Sequence, residues 1–311
     1  MRAFIFPGQG SQAVGMGKAL AEASPVARAV FEEVDEVLGQ HLSRLMFEGP
    51  ADELTLTANA QPAIMANAIA TLRVLEKDGG VVLADKADYV AGHSLGEYSA
   101  LCAAGALDLA TTALLLRHRG EAMQAAVPVG QGSMAALLGA DLATAQVIAN
   151  AAAQGEVCTV ANDNDPSQVV ISGAKAAIDR AIEIAKEYGA KRAIALPVSA
   201  PFHCPMMQPA ADAMDKALAE ARIDTPLVPV FANVTAQPVS DVDTIRKLLV
   251  EQVTGMVRWR ESVLNMTDTG VERFIEFGGK VLSPMVKRIA PDVDATSVIS
   301  MDDIEGLAKS F

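Results

Sequence analysis

The sequence predicts an α/β protein: a large α/β-hydrolase-like domain with a mostly parallel sheet, carrying a small inserted ferredoxin-like α+β domain. Three observations lead there. Gly92-His93-Ser94-Leu95-Gly96 lies between an apolar run and a helical pattern, and G-x-S-x-G at such a junction sets a serine on a strained turn above a sheet. Residues 129–198 read in the order β-α-β-β-α-β, a ferredoxin-like unit. Aromatic residues make up only 4% of the chain and alanine is abundant, which favours close-packed helices over an all-β fold.

Each element has its own signal. Residues 3–6 are a short buried strand that stops at the loop Pro7-Gly8-Gln9-Gly10-Ser11-Gln12. A loop at the carboxyl end of a first strand is where α/β folds build sites, and its N–H groups can serve an oxyanion. Residues 25–38 form a helix with Pro25 at the start, valines on one face and Gly39 as a stop. A second helix begins at Gln61-Pro62 and ends at Gly79-Gly80. Strand 88–91, the serine turn and a helix to residue 104 follow. Asp108 caps a helix running to residue 123, with Arg117 expected on a solvated face and Arg119 pointing elsewhere. In the small domain the strands fall at 134–138, 157–161, 168–172 and 192–198, and the helices at 141–153 and 174–188. Asn162-Asp163-Asn164-Asp165-Pro166 reads as the loop between its two central strands. The large domain resumes at Ser199, giving 1–128 and 199–311 for the large domain and 129–198 for the small one. Its return brings a helix at 206–221, a strand at 228–232 with Asn233 at its end, and helices at 242–253 and 258–268. A strand at 274–277, a helix at 282–289 and a last strand at 297–300 finish the fold.

Composition excludes several classes of function. The 311 residues are 51% apolar and 20% charged, enough for a sizeable core. A net charge of −13 argues against nucleic-acid binding, which needs clustered Lys and Arg. Gly8, Gly10, Gly15 and Gly17 fit neither the dinucleotide fingerprint nor the phosphate loop, since Met16 stands where the latter needs lysine. Cys102, Cys158 and Cys204 form no C-x-x-C, and no zinc pattern occurs. The N-terminal apolar run is too short for a signal peptide, and no window approaches the roughly 18 apolar residues of a membrane span. A soluble cytoplasmic protein, monomeric and without membrane contact, is expected.

A serine hydroxyl needs an adjacent base to act as a nucleophile. The chain has four histidines. His93 adjoins the serine and points away from it on such a turn, so a packing role suits it. His41 reads as surface, and His118 as core or surface. His203 lies in a Pro- and Ser-containing loop at a domain return, where sites are commonly built, and is the best base. The competing readings are a plain Gly-Ser turn and a hydrogen-bonded loop histidine.

Taken in order, Pro7-Gly8-Gln9-Gly10-Ser11-Gln12, Gly92-His93-Ser94-Leu95-Gly96-Glu97-Tyr98-Ser99-Ala100, Arg119-Gly120, Met134-Ala135-Ala136, Pro197-Val198-Ser199 through His203-Cys204, and Gly278-Gly279-Lys280-Val281-Leu282 resemble the bacterial malonyl-CoA:acyl-carrier-protein transacylases. The resemblance covers essentially the whole chain. It implies that Ser94 attacks the malonyl thioester and that His203 moves the proton. It implies an oxyanion hole from the backbone N–H groups of Gln9 and Leu95, and Arg119 as the grip on the malonyl carboxylate. The main-chain carbonyl of Gln252 is implied to orient the histidine. No cofactor is expected beyond the substrates, malonyl-CoA and a phosphopantetheinylated acyl carrier protein. A guanidinium suits the carboxylate, because its fork pairs bidentately and stays charged.

One departure bears on specificity. Phe202 precedes the histidine where bacterial enzymes of this type often carry serine, and its bulk would crowd an α-methyl branch. Polyketide malonyl-loading acyltransferases show the same feature. Asp163 and Asp165 also depart from the expected pattern and bear on the loop beside the site. Acyl carrier proteins are acidic, so Lys186, Lys191, Arg192, Lys280, Lys287 and Arg288 form the expected docking patch. Transfer for fatty-acid biosynthesis is the expected function; a malonyl-loading acyltransferase of a polyketide pathway is one alternative, and a serine esterase or thioesterase of α/β-hydrolase type is the other. It would use Ser94 and His203 but not a buried Arg119.

Overall fold

The computed structural model describes residues 1–198 and 200–311. Ser199, part of one of the motifs above, lies outside the described residues. Among these, the strands in chain order are β1 (Arg2–Phe6), β2 (Tyr89–Gly92), β3 (Gly132–Leu138), β4 (Cys158–Asp165), β5 (Gln168–Ala174), β6 (Arg192–Ala195), β7 (Val230–Ala232), β8 (Gln237–Val239), β9 (Arg273–Phe277) and β10 (Asp294–Val298). They form two sheets. The larger has the order β10-β9-β1-β2-β7-β8 and is parallel throughout except for the β7–β8 pair. The smaller, β4-β5-β3-β6, is antiparallel, the strand order of a ferredoxin-like unit.

Alternation along β1 explains its central place. Phe4 and Phe6 face the core built with the helix Thr57–Lys77, whereas Ala3 and Ile5 face a second core around Trp259, Val263 and Leu282. A strand covered on both faces must be apolar at every position, and Ala3, Phe4, Ile5 and Phe6 are all fully buried. In the small sheet the same alternation divides two tasks. Ala135 and Leu137 of β3 pack on Ile148 and Ile178 of their own helices. Met134 and Ala136 join the large core instead, so this face of the small sheet becomes a wall of the cavity described below.

Several elements differ from the sequence expectation. The helix expected from Gln61 begins at Thr57 and carries Pro62 in its interior. The buried Thr57, Asn59 and Ala60 hold its first turn against the core, so packing overrides the proline signal. Short helices at Lys18–Ala23, Leu42–Glu48, Ala51–Thr55 and Leu83–Lys86 carry too few residues to show a periodicity. The expected strand at 297–300 lies at Asp294–Val298, and a further helix, Met301–Lys309, starts on a capping box of Ser300 and Asp303. β6 leaves the sheet after Ala195, earlier than expected. No helix of the described residues is long and apolar enough to cross a membrane.

The main correction concerns Asn162–Asp165, expected as a loop and found as the end of β4. Val257 N–H donates to Ala161 O at 2.8 Å and Asp163 N–H to Val257 O at 3.0 Å, which tie the strand edge to the chain entering helix Trp259–Asp268. Asp163 accepts from Arg260 at 2.9 Å, and Asp165 from Arg288 at 2.7 Å. Both carboxylates are buried, at 1% and 0% exposure, so each needs its arginine. These two pairs clamp the small sheet to the large one. Arg260→Ala, which strands Asp163, is expected to cost about 3 kcal/mol in urea denaturation. Adding Asp163→Ala should recover part of that loss, because it removes the uncompensated charge.

Candidate active site

The serine turn is set by backbone contact. Gly96 starts the helix Gly96–Ala103, and a Cβ there would lie 2.2 Å from Phe6 O of β1, so only glycine fits. Ser94 sits at φ 53, in the left-handed region that costs a non-glycine residue energy. Asn233, at the end of β7, holds this strained turn. Its Oδ1 accepts from Ser94 N–H at 2.8 Å, and its Nδ2 donates to Gly92 O at 2.7 Å.

His203 reaches the serine from the loop before the helix Gln208–Glu220. Ser94 Oγ and His203 Nε2 are 2.7 Å apart. The other ring nitrogen, Nδ1, lies 2.8 Å from Gln252 O. A carbonyl only accepts, so Nδ1 carries the ring proton and Nε2 keeps a lone pair for the serine hydroxyl. Burial, and after it the charge of Arg119, pushes the His203 pKa down to about 3. The imidazole is therefore neutral at pH 7 and competent to accept a proton.

Arg119 comes from the helix Leu109–Ala125, whose start is fixed by Asp108 Oδ1 accepting from Thr111 N–H at 2.6 Å. Gly120 brings this helix onto the preceding elements, since a Cβ there would lie 2.6 Å from Ala58 Cα. The guanidinium is 1% exposed. Nη1 donates to Gln61 Oε1 at 2.8 Å, and Nη2 donates to Gln252 Oε1 at 2.8 Å and to Ser94 Oγ at 3.1 Å. Its carbon lies 5.6 Å from the Tyr98 ring centroid. Among the described residues Nε has no hydrogen-bond partner, and no carboxylate lies within ion-pair distance of the group. Burial lowers its pKa.

Ser94, His203 and Arg119 open on one cavity of about 340 Å³, lined also by Gln9, Leu95 and Phe202. Among the described residues the backbone N–H groups of Gln9 and Leu95 have no internal acceptor. The Gln9 side chain is held by Thr57 Oγ1, which donates to its Oε1 at 3.1 Å.

The remaining histidines make no hydrogen bond to Ser94, although His93 lines the same cavity. His93 Nε2 contacts Asn164 Oδ1 at 2.8 Å, and its ring lies 5.9 Å from Trp259, a packing role. His41 and His118 are exposed. Arg117 is half-buried and donates to Asn59 and Gln40, where a solvated face was expected. Its helix face lies over the buried helix Thr57–Lys77, which supplies Asn59. Within the expected basic patch, Arg288 is engaged by Asp165, while Lys280 and Lys287 line one surface recess.

Four side-chain roles escaped the sequence reading. Gln61 and the side chain of Gln252 hold the guanidinium, and Asn233 holds the serine turn. Glu97 is the fourth partner of this network: its Oε2 accepts from Gln252 Nε2 at 2.8 Å and from Asn233 N–H at 3.1 Å. Only Asn233 had a usable signal, its place at the carboxyl end of a strand.

The low His203 pKa has a measurable consequence. The folded value lies below the ordinary 6.5, so the unfolded chain binds this proton first as pH falls. The stability it contributes is complete above pH 6.5 and is lost as pH falls from there towards 3. Acylation of Ser94 should accordingly show no loss of kcat/KM between pH 7 and 5. A decline centred near pH 6.5 in stopped-flow acylation would contradict this placement of the base.

Comparison with known proteins gives the family. The acyl transferase domain family matches residues 3–282. A malonyl CoA-acyl carrier protein transacylase of Bacillus subtilis is 47% identical over 305 residues, covering 97% of this chain and 95% of its own. The crystal structure of an acyl-carrier-protein S-malonyltransferase from Bartonella henselae superimposes with a TM-score of 0.97 at 52% identity, covering 99% of this chain and 98% of that one. A malonyl-transacylase solved in complex with a type II polyketide synthase acyl-carrier protein gives 0.96 at 40% identity, covering 100% of this chain and 99% of its own. The chain belongs to the acyl transferase family, within its malonyl-CoA:acyl-carrier-protein transacylase branch.

Proposed function

We propose that this protein transfers a malonyl group from malonyl-CoA to the phosphopantetheine thiol of an acyl carrier protein, for fatty-acid synthesis, through a malonyl ester on Ser94. One observation carries the reading: a buried arginine without a carboxylate partner among the described residues lies 3.1 Å from the hydroxyl that a neutral histidine engages at 2.7 Å. An acyl group bearing a free carboxylate satisfies both at once.

In the first half-reaction the malonyl carboxylate pairs with the Arg119 fork, which sets the thioester carbonyl over Ser94. His203 Nε2 takes the serine proton as Oγ attacks. The oxyanion is received by the N–H groups of Gln9 and Leu95, which have no internal acceptor to give up. Collapse expels the coenzyme A sulfur, which receives the proton from His203. The second half-reaction is the reverse with the carrier thiol: His203 deprotonates it, sulfur attacks the ester, and Ser94 regains its proton. The Gln252 carbonyl keeps Nδ1–H in place throughout, so no acidic third member is required. The esterase reading uses the same serine and histidine but gives Arg119 no task. Residues 129–198, taken as the small domain, supply the apolar wall of Met134 and Val170 that limits water at the ester.

A donor panel of malonyl-, methylmalonyl- and acetyl-CoA, read by intact mass of the Ser94 adduct, tests this reading. Wild type should form the malonyl adduct, and Ser94→Ala should form none. Arg119→Ala should lose about 2–4 kcal/mol of malonyl kcat/KM while losing far less with acetyl. Phe202 lines the cavity, and methylmalonyl should be disfavoured by about 1–3 kcal/mol. Rapid hydrolysis without transfer to carrier protein would favour the esterase.

The acidic carrier protein is proposed to dock on the lysine side of the cleft, with Lys280 and Lys287 as its nearest anchors. Their shared recess beside the helix Leu282–Ile289, which itself lines the cavity through Leu282 and Met285, supports this. Lys280→Glu/Lys287→Glu should raise the carrier's apparent KM and flatten its salt dependence, leaving malonyl-CoA acylation unchanged. An unaltered salt dependence would remove the patch from the docking surface.

A further inference from the structure

Glu97 is a buried carboxylate that the reaction as written does not use. It is 2% exposed and sits in the first turn of the helix Gly96–Ala103, just after the serine turn. A single side chain, Gln252, bridges it to Arg119. Gln252 Oε1 accepts from Arg119 Nη2 at 2.8 Å, while Gln252 Nε2 donates to Glu97 Oε2 at 2.8 Å and to Ser94 O at 3.0 Å. A guanidinium only donates and a carboxylate only accepts, so the amide has one orientation between them. The titratable groups facing this cluster are Arg119, Tyr98 on the same helix, and His203. Burial drives the Tyr98 pKa up and the His203 pKa down, so both are neutral around pH 7. Arg119 is the cation there, and Glu97 is the titrating group that balances it whenever it is ionised.

We propose that Glu97 is the proton-coupled counter-charge of Arg119: it balances the guanidinium in the free enzyme and takes up a proton when a malonyl carboxylate pairs with that arginine. The inference rests on the reading of Arg119 as the malonyl anchor. A second carboxylate beside one buried guanidinium leaves a net negative charge in a low-dielectric site, and like charges of this kind share a proton. One proton from solvent bonds to a Glu97 oxygen and restores neutrality; no other bond changes. The carboxyl is poised for this, because burial already holds its pKa up at about 7. Gln252 transmits the change, since its side chain touches Arg119 and its carbonyl holds His203. Glu97 is thus a positioning residue that couples malonyl binding to pH.

The test compares full-length wild type with Glu97→Gln, which keeps an oxygen acceptor for Gln252 and Asn233 but cannot titrate. Each enzyme is mixed with malonyl-CoA in weak buffer at pH 7 with an indicator dye, and intact mass counts the malonyl-serine formed. Wild type should take up about half a proton per acylated site, the share of carboxylate present near its pKa, and the variant none. Wild-type kcat/KM for acylation should fall several-fold as pH rises from 6 to 8, and the variant's should stay flat. Equal uptake in the two enzymes, or none in acylated wild type, overturns the proposal while leaving malonyl transfer standing. Absence of any malonyl adduct in wild type overturns the transfer reading and this inference together. A readout independent of the variant is the infrared difference spectrum of wild type with ¹³C-malonyl-CoA. A new protein carboxylic-acid band should appear on acylation, and its absence rejects the proposal even if Glu97→Gln does not fold.

Discussion

The site depends on keeping one guanidinium charged at 1% exposure. An unpaired buried charge costs several kcal/mol, and a fold keeps it only by surrounding it with fixed dipoles. Arg119 has two such dipoles, the side-chain oxygens of Gln61 and Gln252, each at 2.8 Å. They come from opposite sides: Gln61 from the helix Thr57–Lys77, Gln252 from the last turn of Val242–Thr254. Each glutamine has a second attachment near the chemistry. Gln61 Nε2 donates to Thr57 Oγ1 at 3.0 Å, and that hydroxyl donates in turn to Gln9 in the loop after β1. Gln252 holds the base through its backbone carbonyl. In the proposed mechanism, carboxylate recognition, oxyanion binding and proton transfer therefore share one hydrogen-bonded frame. A change at the arginine is felt at all three.

The sheet supplies the rigid part of that frame. β1 and β2 pair in register with Phe6 opposite Gly92, so the loop after β1 and the serine turn after β2 emerge side by side at the carboxyl edge. Asn233 follows β7, the other neighbour of β2, and closes the turn from that side. Three adjacent parallel strands thus deliver the oxyanion loop, the nucleophile and its brace to one place. That is the general advantage of a strand order that sends successive connections to the same edge. The small sheet completes the enclosure. Its position is held by the buried Asp163 and Asp165, whose arginines belong to the large sheet's helices.

The architecture was legible where sequence signals are local. The serine turn, the Asp108 cap, the Gly39 stop and the β-α-β-β-α-β order each follow from residue types within a few positions of one another, and each is found. What escaped depended on distance. Asn162–Asp165 reads as a polar loop because its ion-pair partners lie 97 and 123 residues away. Thr57 starts a helix through packing that overrides Pro62. In the site, the serine and histidine stood out by their chemistry and surroundings, and the family resemblance pointed to Arg119, Gln9, Leu95 and the Gln252 carbonyl. Gln9, Leu95 and Arg119 line one cavity with the serine and histidine, and the Gln252 carbonyl lies 2.8 Å from His203 Nδ1. Gln61 and Glu97 gave no signal, since an amide or carboxylate on a helix reads as ordinary surface until its burial is known.

Burial also explains how the same dyad that hydrolyses esters elsewhere can favour transfer. An acyl-serine survives if water is scarce and the acyl group is held away from random attack. Under the proposed function both conditions follow from a carboxylate anchored deep in a cavity whose walls include Met134, Val170, Leu196 and Phe202. The anchoring charge would itself draw water in, were it exposed. Sequestering it at 1% exposure removes that route, and the neutral His203 adds no second charge. A thiol brought in on a long flexible arm then meets the ester before bulk water does, and it is a better nucleophile near neutral pH. In the proposed reaction the buried arginine selects the donor and, by the same burial, protects the intermediate it has selected.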